Sequence, residues 1–333
     1  MFKWRARKAA APEEATSGTV TPIRARSPET VLRRMEWTVL RRLDGLLQGD
    51  YRTLFRGQGL DLADLREYQY GDDVRHIDWN VTARLQTPYI REYHEDREIT
   101  AWFLLDLSPS VDFGSHQVRK RVVSENFVAV IGRLLTRHGN RVGAMLYGQK
   151  SGAGVESVIP AGAGRRHVLR ILHAMTAPGA PEGGRRTDLA DLLRAGANMI
   201  HRRSLVFVVS DFFSEPGWDR LLAMLAQRNE IVAVRLYDPL ESQLPDLGLM
   251  PFRDAETGEQ VLVDTHDPAF RARFAAAAQR REAALRTGFA QAGVDVLELS
   301  TEDDLVDSLL RFTDLRKRRS RTAGATAMPR AAA

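Results

Sequence analysis

The amino-acid sequence predicts an α/β protein: a doubly wound, mainly parallel sheet with an N-terminal accessory segment of one helix and extended chain. Three observations carry that expectation. The runs Ala101–Leu105 and Leu205–Ser210 are apolar almost throughout and lead into acids, Asp106 and Asp211, and Glu230–Leu236 is a third run of the same kind. Strands this apolar are covered on both faces, as in parallel sheets. The stretches between them repeat apolar residues at helical spacing, and alternating strands and helices of these lengths imply crossover connections.

The chain divides into four expected parts. Residues 1–28 are rich in Ala, Thr, Pro and Arg, with few large apolar groups to drive folding. Residues 29–98 form the accessory region, 99–312 the α/β domain with a hairpin insertion at about 238–266, and 313–333 a basic disordered tail.

In order, Ser27-Pro28 resembles a helix cap with proline in the first turn. A helix over Glu29–Leu47 follows, with Val31, Met35, Val39, Leu43 and Leu46 as its stripe. Next comes a segment dense in glycine, acid, arginine and aromatic residues, from Arg56 to Arg84. Gly57-Gln58-Gly59 is no dinucleotide loop, because no strand precedes it and the third glycine is missing. Arg66, Arg75, Asp78 and Arg84 suit an ion-pair clasp more than a binding surface. Tyr89 to Ile99 is extended and leads into the strand that ends at Asp106. A helix over His116–His138, strands at Arg141–Tyr147 and Glu156–Ile159, and helices over Arg165–Met175 and Asp188–Ile200 come next. The second apolar strand, a helix over Trp218–Gln227 and the third strand follow. The pattern then breaks at a hairpin around Asp254-Ala-Glu-Thr-Gly258. A helix over Pro268–Thr287, a strand at Val294–Leu297 and a helix over Asp303–Phe312 complete the domain.

Composition narrows the function classes. At 44% hydrophobic and 27% charged residues, the chain has the make-up of an ordinary globular protein. No stretch approaches the roughly 18 apolar residues that a membrane span needs. With no apolar segment behind the basic N-terminus, secretion is not expected, and a cytoplasmic location is. The absence of cysteine excludes disulfides, thiolate metal sites and cysteine catalysis. The net charge of +5 sits largely at the two ends, where Arg-rich tails lack the interleaved aromatics of a single-strand binding surface. Nucleic acid is therefore not an expected partner.

Three places supply oxygen ligands. Asp106, Ser108 and Ser110 follow the first apolar strand, Thr187 opens a helix after Gly183-Gly184, and Asp211 follows the second apolar strand. In a parallel sheet all three lie on the edge where ligands bind. Three neutral hydroxyls with two acids suit an octahedral, oxygen-preferring cation such as magnesium, or manganese. Because the hydroxyls leave most of the ion's charge uncancelled, such a site draws in an outside carboxylate, helped by helix starts after Ser110 and Thr187.

Asp106-x-Ser108-x-Ser110 with Thr187 and Asp211 downstream resembles the metal-ion-dependent adhesion site of von Willebrand factor type A domains. That resemblance, over about residues 99–312, implies that both serines and the threonine approach the metal, with Asp106 and Asp211 acting partly through water. Upstream, Gly57-x-Gly59, Arg66-x-Tyr68, Gly71-Asp72, Arg75-x-Ile77-Asp78-Trp79 and Ala83-Arg84 resemble the signature of the domain-of-unknown-function 58 family. The second resemblance implies a type A domain behind this segment and a MoxR-type AAA+ ATPase as partner. The expected function is thus a metal-dependent protein-interaction module that acts as adaptor or chaperone-like partner of such an ATPase and is not an enzyme. The competing expectations are a metal-dependent hydrolase using Asp106 and a nucleic-acid binder acting through the tails. Against the first, haloacid-dehalogenase phosphatases place a second acid where this chain has Ser108.

Overall fold

The computed structural model describes residues 27–40, 43, 64–70, 72–74, 77–92, 99–115, 118–148, 154–177, 187–253 and 260–326. Within these, helix α1 (Pro28–Met35) starts at Ser27, whose Oγ accepts the Thr30 amide at 3.3 Å. Glu36–Leu40 then continue as a π turn, a loosening of the uniform helix expected to Leu47. Residues 44–47 lie outside the described residues.

Strands β1 (Asp64–Glu67) and β2 (Tyr89–Glu92) form an antiparallel pair. Helix α2 (Trp79–Leu85) connects them, started by Asp78, whose Oδ1 accepts the amides of Asn80 at 3.0 Å and Val81 at 3.2 Å. Arg66 lies in β1, while Asp72 holds a turn by accepting the Gln69 amide at 2.8 Å. Trp79 and Arg84 are exposed. Gly57, Gly59, Gly71 and Arg75 fall outside the described residues.

The main sheet contains β3 (Thr100–Asp106), β4 (Arg141–Tyr147), β5 (Val155–Gly162), β6 (Leu205–Ser210), β7 (Glu230–Tyr237) and β10 (Asp295–Ser300), in the spatial order β10-β7-β6-β3-β4-β5. All neighbours are parallel except β4 and β5. Helices α3 (Lys120–Arg137), α4 (Arg165–Met175), α5 (Leu189–Met199), α6 (Trp218–Ala226), α7 (Pro268–Ala292) and α8 (Leu305–Thr326) flank it. This is the α/β, doubly wound arrangement.

The apolar strands show why both faces are covered. In β3, Ala101, Phe103 and Leu105 pack into one core with α1, α3, α4 and α8, while Trp102 and Leu104 pack into the other with α5, α6 and α7. Phe103 stacks on Phe207 at 5.3 Å, and Phe127 of α3 meets both edge-on. Phe212, Trp218 and Phe289 form a matching trio on the opposite face. Helix α1 contributes Val31, Leu32 and Met35 to the first core. The start of the expected accessory region therefore packs as part of the α/β domain.

Several expected boundaries move: α7, expected to end at Thr287, runs to Ala292, and β5, expected at Glu156–Ile159, spans Val155–Gly162. The first long helix begins at Lys120 instead of His116, and Ser108 to Asp112 form a short 3-10 turn ahead of it. No α-helix starts directly after Ser110. At the other end, the tail expected to be disordered from residue 313 is helical through Thr326. Two of its arginines pair with acids of the fold: Arg316 reaches Glu230 at 2.5 Å and Asp295 at 2.9 Å, and the largely exposed Arg319 reaches Asp295 at 3.0 Å. Residues 327–333 lie outside the described residues. Strands β8 (Leu249–Arg253) and β9 (Gln260–Asp264) make the expected hairpin, with Leu249, Val261 and Leu262 exposed. Its tip, 254–259, lies outside the described residues.

Candidate functional site

The site forms where β3 and β6 run side by side. Leu105 pairs with Val209, so Asp106 sits level with Ser210 and Asp211 just beyond the strand ends. Asp106 is completely buried and both its oxygens are engaged. Oδ1 accepts the Ser108 amide at 3.0 Å, and Oδ2 accepts the Ser210 hydroxyl at 2.6 Å. Burial, and then the nearby Asp211 charge, push its pKa up to about 6 against the pull of those hydrogen bonds.

The first hydrogen bond folds the chain back after β3, so Ser108 and Ser110 come onto one side of the 3-10 turn. Their hydroxyl oxygens are 3.2 Å apart. Two adjacent ligands of an octahedral magnesium stand about 3 Å apart, given metal–oxygen distances near 2.0–2.1 Å. The pair therefore has a spacing that such an ion accepts. Gly148, at the end of β4, has φ +73°, and a Cβ there would lie 3.2 Å from the Ser108 backbone. Both the conformation and the close approach call for glycine.

Thr187 is buried just ahead of α5, which is capped by Asp188 accepting the Ala190 amide at 3.0 Å. Two contacts hold this junction at the strand ends. The Thr187 carbonyl accepts the Glu215 amide at 3.1 Å, and the hydroxyl of Tyr147, the last residue of β4, accepts the Asp188 amide at 2.8 Å. Thr187 and Ser110 line one groove of about 1110 Å³. The preceding Gly183, Gly184, Arg185 and Arg186 lie outside the described residues.

Asp211 is buried, and its Oδ1 accepts the Phe213 amide at 3.0 Å. Its Oδ2 is taken by a residue that sequence reasoning missed. Lys120, the first residue of α3 and 1% exposed, places Nζ 2.7 Å from Asp211 Oδ2 and 2.6 Å from Glu241 Oε1. The rings of Phe213 and Phe113 lie 5.2 Å and 5.8 Å from the ammonium. Burial works against its charge, but Asp211 and Glu241 outweigh it and hold the pKa above the usual lysine value.

Asp238 follows β7 as Asp211 follows β6, and it too was missed. It accepts from the Ser115 amide and hydroxyl, both at 2.9 Å, from Thr301 Oγ1 at 2.7 Å and from the Leu240 amide at 3.0 Å. Its work is structural: it ties the loop before Lys120 to the turn that carries Glu241. The only prior signal for it was its position after an apolar strand.

The structure thus brings Asp106, Ser108, Ser110 and Asp211 to one sheet edge, with Thr187 opening onto the same groove. The donors are all hard oxygens, the kind magnesium and manganese take. Among the described residues no group of three or more His, Cys, Asp or Glu is placed to hold a metal, so any ion at this edge relies on the hydroxyls. The residues fit a hydroxyl-rich divalent site, with Asp211 Oδ2 shared with Lys120. Away from the hydroxyls the groove is mainly apolar, lined by Phe212, Phe213, Trp218, Phe252 and Phe274, with Lys120 and Glu241 also on its wall, and Arg281 lies 4.0 Å over the Phe213 ring.

Uncharacterized proteins of Mycobacterium bovis and Mycobacterium tuberculosis are 38% identical over 288 residues, covering 86% of this chain and 89% of each relative. A further uncharacterized protein, of Mycobacterium avium, is 34% identical over 161 residues, 48% of this chain and 94% of that one. Among solved structures, the chain is similar to the conserved hypothetical protein BatB of Bacteroides thetaiotaomicron, with a TM-score of 0.40 and 12% identity over 67% of this chain and 99% of that one. An aerotolerance-related membrane protein of Bacteroides fragilis gives the same TM-score and identity over 66% of this chain and 99% of that one. No helix among the described residues is long and apolar enough to cross a membrane. The family model described as "Protein of unknown function DUF58" matches residues 64–284, and with relatives this similar along most of its length the chain belongs to that family.

Proposed function

We propose that this chain is a metal-dependent protein-interaction module of the von Willebrand factor type A kind. Ser108, Ser110, Thr187 and Asp211 would hold magnesium or manganese, with Asp106, whose two oxygens already accept hydrogen bonds, acting through water and through the turn it orients, and a partner would present an acidic side chain to the ion. The observation that carries the reading is the 3.2 Å spacing of the Ser108 and Ser110 hydroxyls beside two buried carboxylates. Bound there, the ion supplies a Lewis-acidic position for an incoming carboxylate. The chain's own residues do the rest. Asp106 orients the turn through the Ser108 amide, Ser210 locks Asp106, and Tyr147 holds the Thr187 junction. The groove continuing from Ser110 and Thr187 offers an apolar seat for the residue beside the partner's acid, and Phe252 of the β8–β9 hairpin forms part of its wall.

The resemblance that links this family to MoxR-type AAA+ ATPases makes such an ATPase, or its client, the partner to test. The chain should co-purify with it in magnesium and lose it in chelator or after Asp106→Ala, with the circular-dichroism spectrum unchanged. Retention of the ATPase under both conditions would sink the proposal. A hydrolase using Asp106 as nucleophile is disfavoured, since both carboxylate oxygens already accept hydrogen bonds and the group is sealed from solvent. Nucleic-acid binding through the C-terminal basic residues is disfavoured by the pairing of Arg316 and Arg319 with acids of the fold.

A further inference from the structure

Asp211 has one oxygen occupied by the Phe213 amide, which leaves Oδ2 as the oxygen available to a cation, and the Lys120 ammonium holds it at 2.7 Å. We infer that Lys120 is a tethered internal cation that competes with the metal for Asp211, so that metal enters as the ammonium withdraws onto Glu241. This inference rests on the metal reading of the site.

Three features support it. First, an ammonium and a divalent ion on the same carboxylate oxygen repel each other strongly in a buried setting, so the two occupancies oppose each other. Second, the ammonium has somewhere to go. Glu241 already lies 2.6 Å from Nζ, and the rings of Phe113 and Phe213 give the charge a further seat. Loss of Asp211 therefore does not leave a buried charge without compensation. Third, carboxylates outnumber cations here: Asp106, Asp211 and Glu241 stand against Lys120 and the more distant Arg281. The cluster has room for added positive charge even with the lysine in place.

The device also reaches beyond the site. Glu241 completes a capping box with Asp238, accepting the Asp238 amide at 3.2 Å, in the turn that leads towards the β8–β9 hairpin. A change in how Lys120 divides itself between Asp211 and Glu241 is therefore felt in that turn. A partner carboxylate arriving with the metal would offer the displaced ammonium a new counter-ion, so metal and partner would bind cooperatively.

The test is Mn2+ binding to the full chain, read from the paramagnetic resonance signal of the free ion. Lys120→Met should bind Mn2+ at least tenfold more tightly than wild type. Glu241→Gln should bind it more weakly, because the ammonium then relies on Asp211 alone. Mn2+ should also raise the melting temperature of Lys120→Met by more than that of wild type, since the ion takes over the Asp211 oxygen that the ammonium has vacated. Binding in Lys120→Met no tighter than wild type, or in Glu241→Gln as tight as wild type, overturns the inference. Ser108→Ala separates the two levels. If it abolishes Mn2+ binding while Lys120→Met leaves the affinity unchanged, the metal reading stands and the competition fails. If neither wild type nor Lys120→Met shows Mn2+ binding that Ser108→Ala removes, both fail.

Discussion

The hydroxyl of Ser210 donates to Asp106 Oδ2 at 2.6 Å across the boundary between two neighbouring strands. The same Ser210 oxygen accepts the Phe212 amide at 2.9 Å, so one side chain joins the end of β3 to the loop that follows β6. Candidate ligands 105 residues apart in the chain are set relative to each other through this contact.

Ser210→Ala should therefore cost stability and loosen the site together. Removing a donor from a buried, charged acceptor leaves that acceptor underpaired, at a cost of about 1–3 kcal/mol. Urea unfolding should show this as a lower midpoint with an unchanged slope. A variant as stable as wild type would show that Asp106 is satisfied without it.

Gly148→Ala introduces a side chain at φ +73° and 3.2 Å from the Ser108 backbone. Holding a non-glycine residue in the left-handed region costs about 1–2 kcal/mol. The close approach should also displace Ser108. The expected result is a modest loss of stability with a larger loss of Mn2+ affinity. Stability loss with unchanged metal affinity would detach Gly148 from the site.

Asp238 gives a pH signature. Burial alone would raise its pKa, but the hydrogen bonds from Ser115, Thr301 and Leu240 outweigh that and hold it below the usual carboxylate value. A folded-state pKa below the unfolded one means that the unfolded chain binds more protons. Stability from this group is therefore present above the unfolded value, near 4, and lost as pH falls through the folded value. Asp238→Asn should be less stable than wild type at pH 7, with the gap closing below about pH 4. Asp106, with its raised pKa, slopes the other way, and the difference between wild type and Asp238→Asn isolates Asp238. A gap constant from pH 3 to pH 7 would exclude a charged role.

Truncation after Phe312 removes the Arg316 pairs with Glu230 and Asp295, in which the Arg316 side chain is 13% exposed. Hydrogen bonds to charged groups are worth about 1.5–3 kcal/mol each. The melting temperature should fall by several degrees or more, since about 1 kcal/mol corresponds to roughly 2–4 °C in a domain of this size. Arg316→Ala should reproduce much of that fall. An unchanged melting temperature would return these residues to the role of a dispensable tail.

Much of the fold was legible because it is written in local periodicity. The continuous apolar character of β3, β6 and β7 reflects cover on both faces, and the crossover order follows from strands alternating with helices. The acids at 106 and 211 and the hydroxyls at 108 and 110 were legible for the same reason: each follows an apolar strand, and a parallel sheet delivers such positions to one edge. The start of α3 and the course of the tail were not. Lys120 begins its helix where its ammonium finds Asp211 and Glu241, and α8 continues where Arg316 finds Glu230 and Asp295.

By itself, the sequence determined which residues stand at the edge of the sheet, because apolar runs and helical spacing are properties of neighbours in the chain. Tertiary structure alone decided which charge meets which. Lys120 is separated from Asp211 by 91 residues and from Glu241 by 121, and no local pattern marks partners that distant. They are chosen by burial, where an ammonium sealed from water persists only with carboxylates brought to it by the fold.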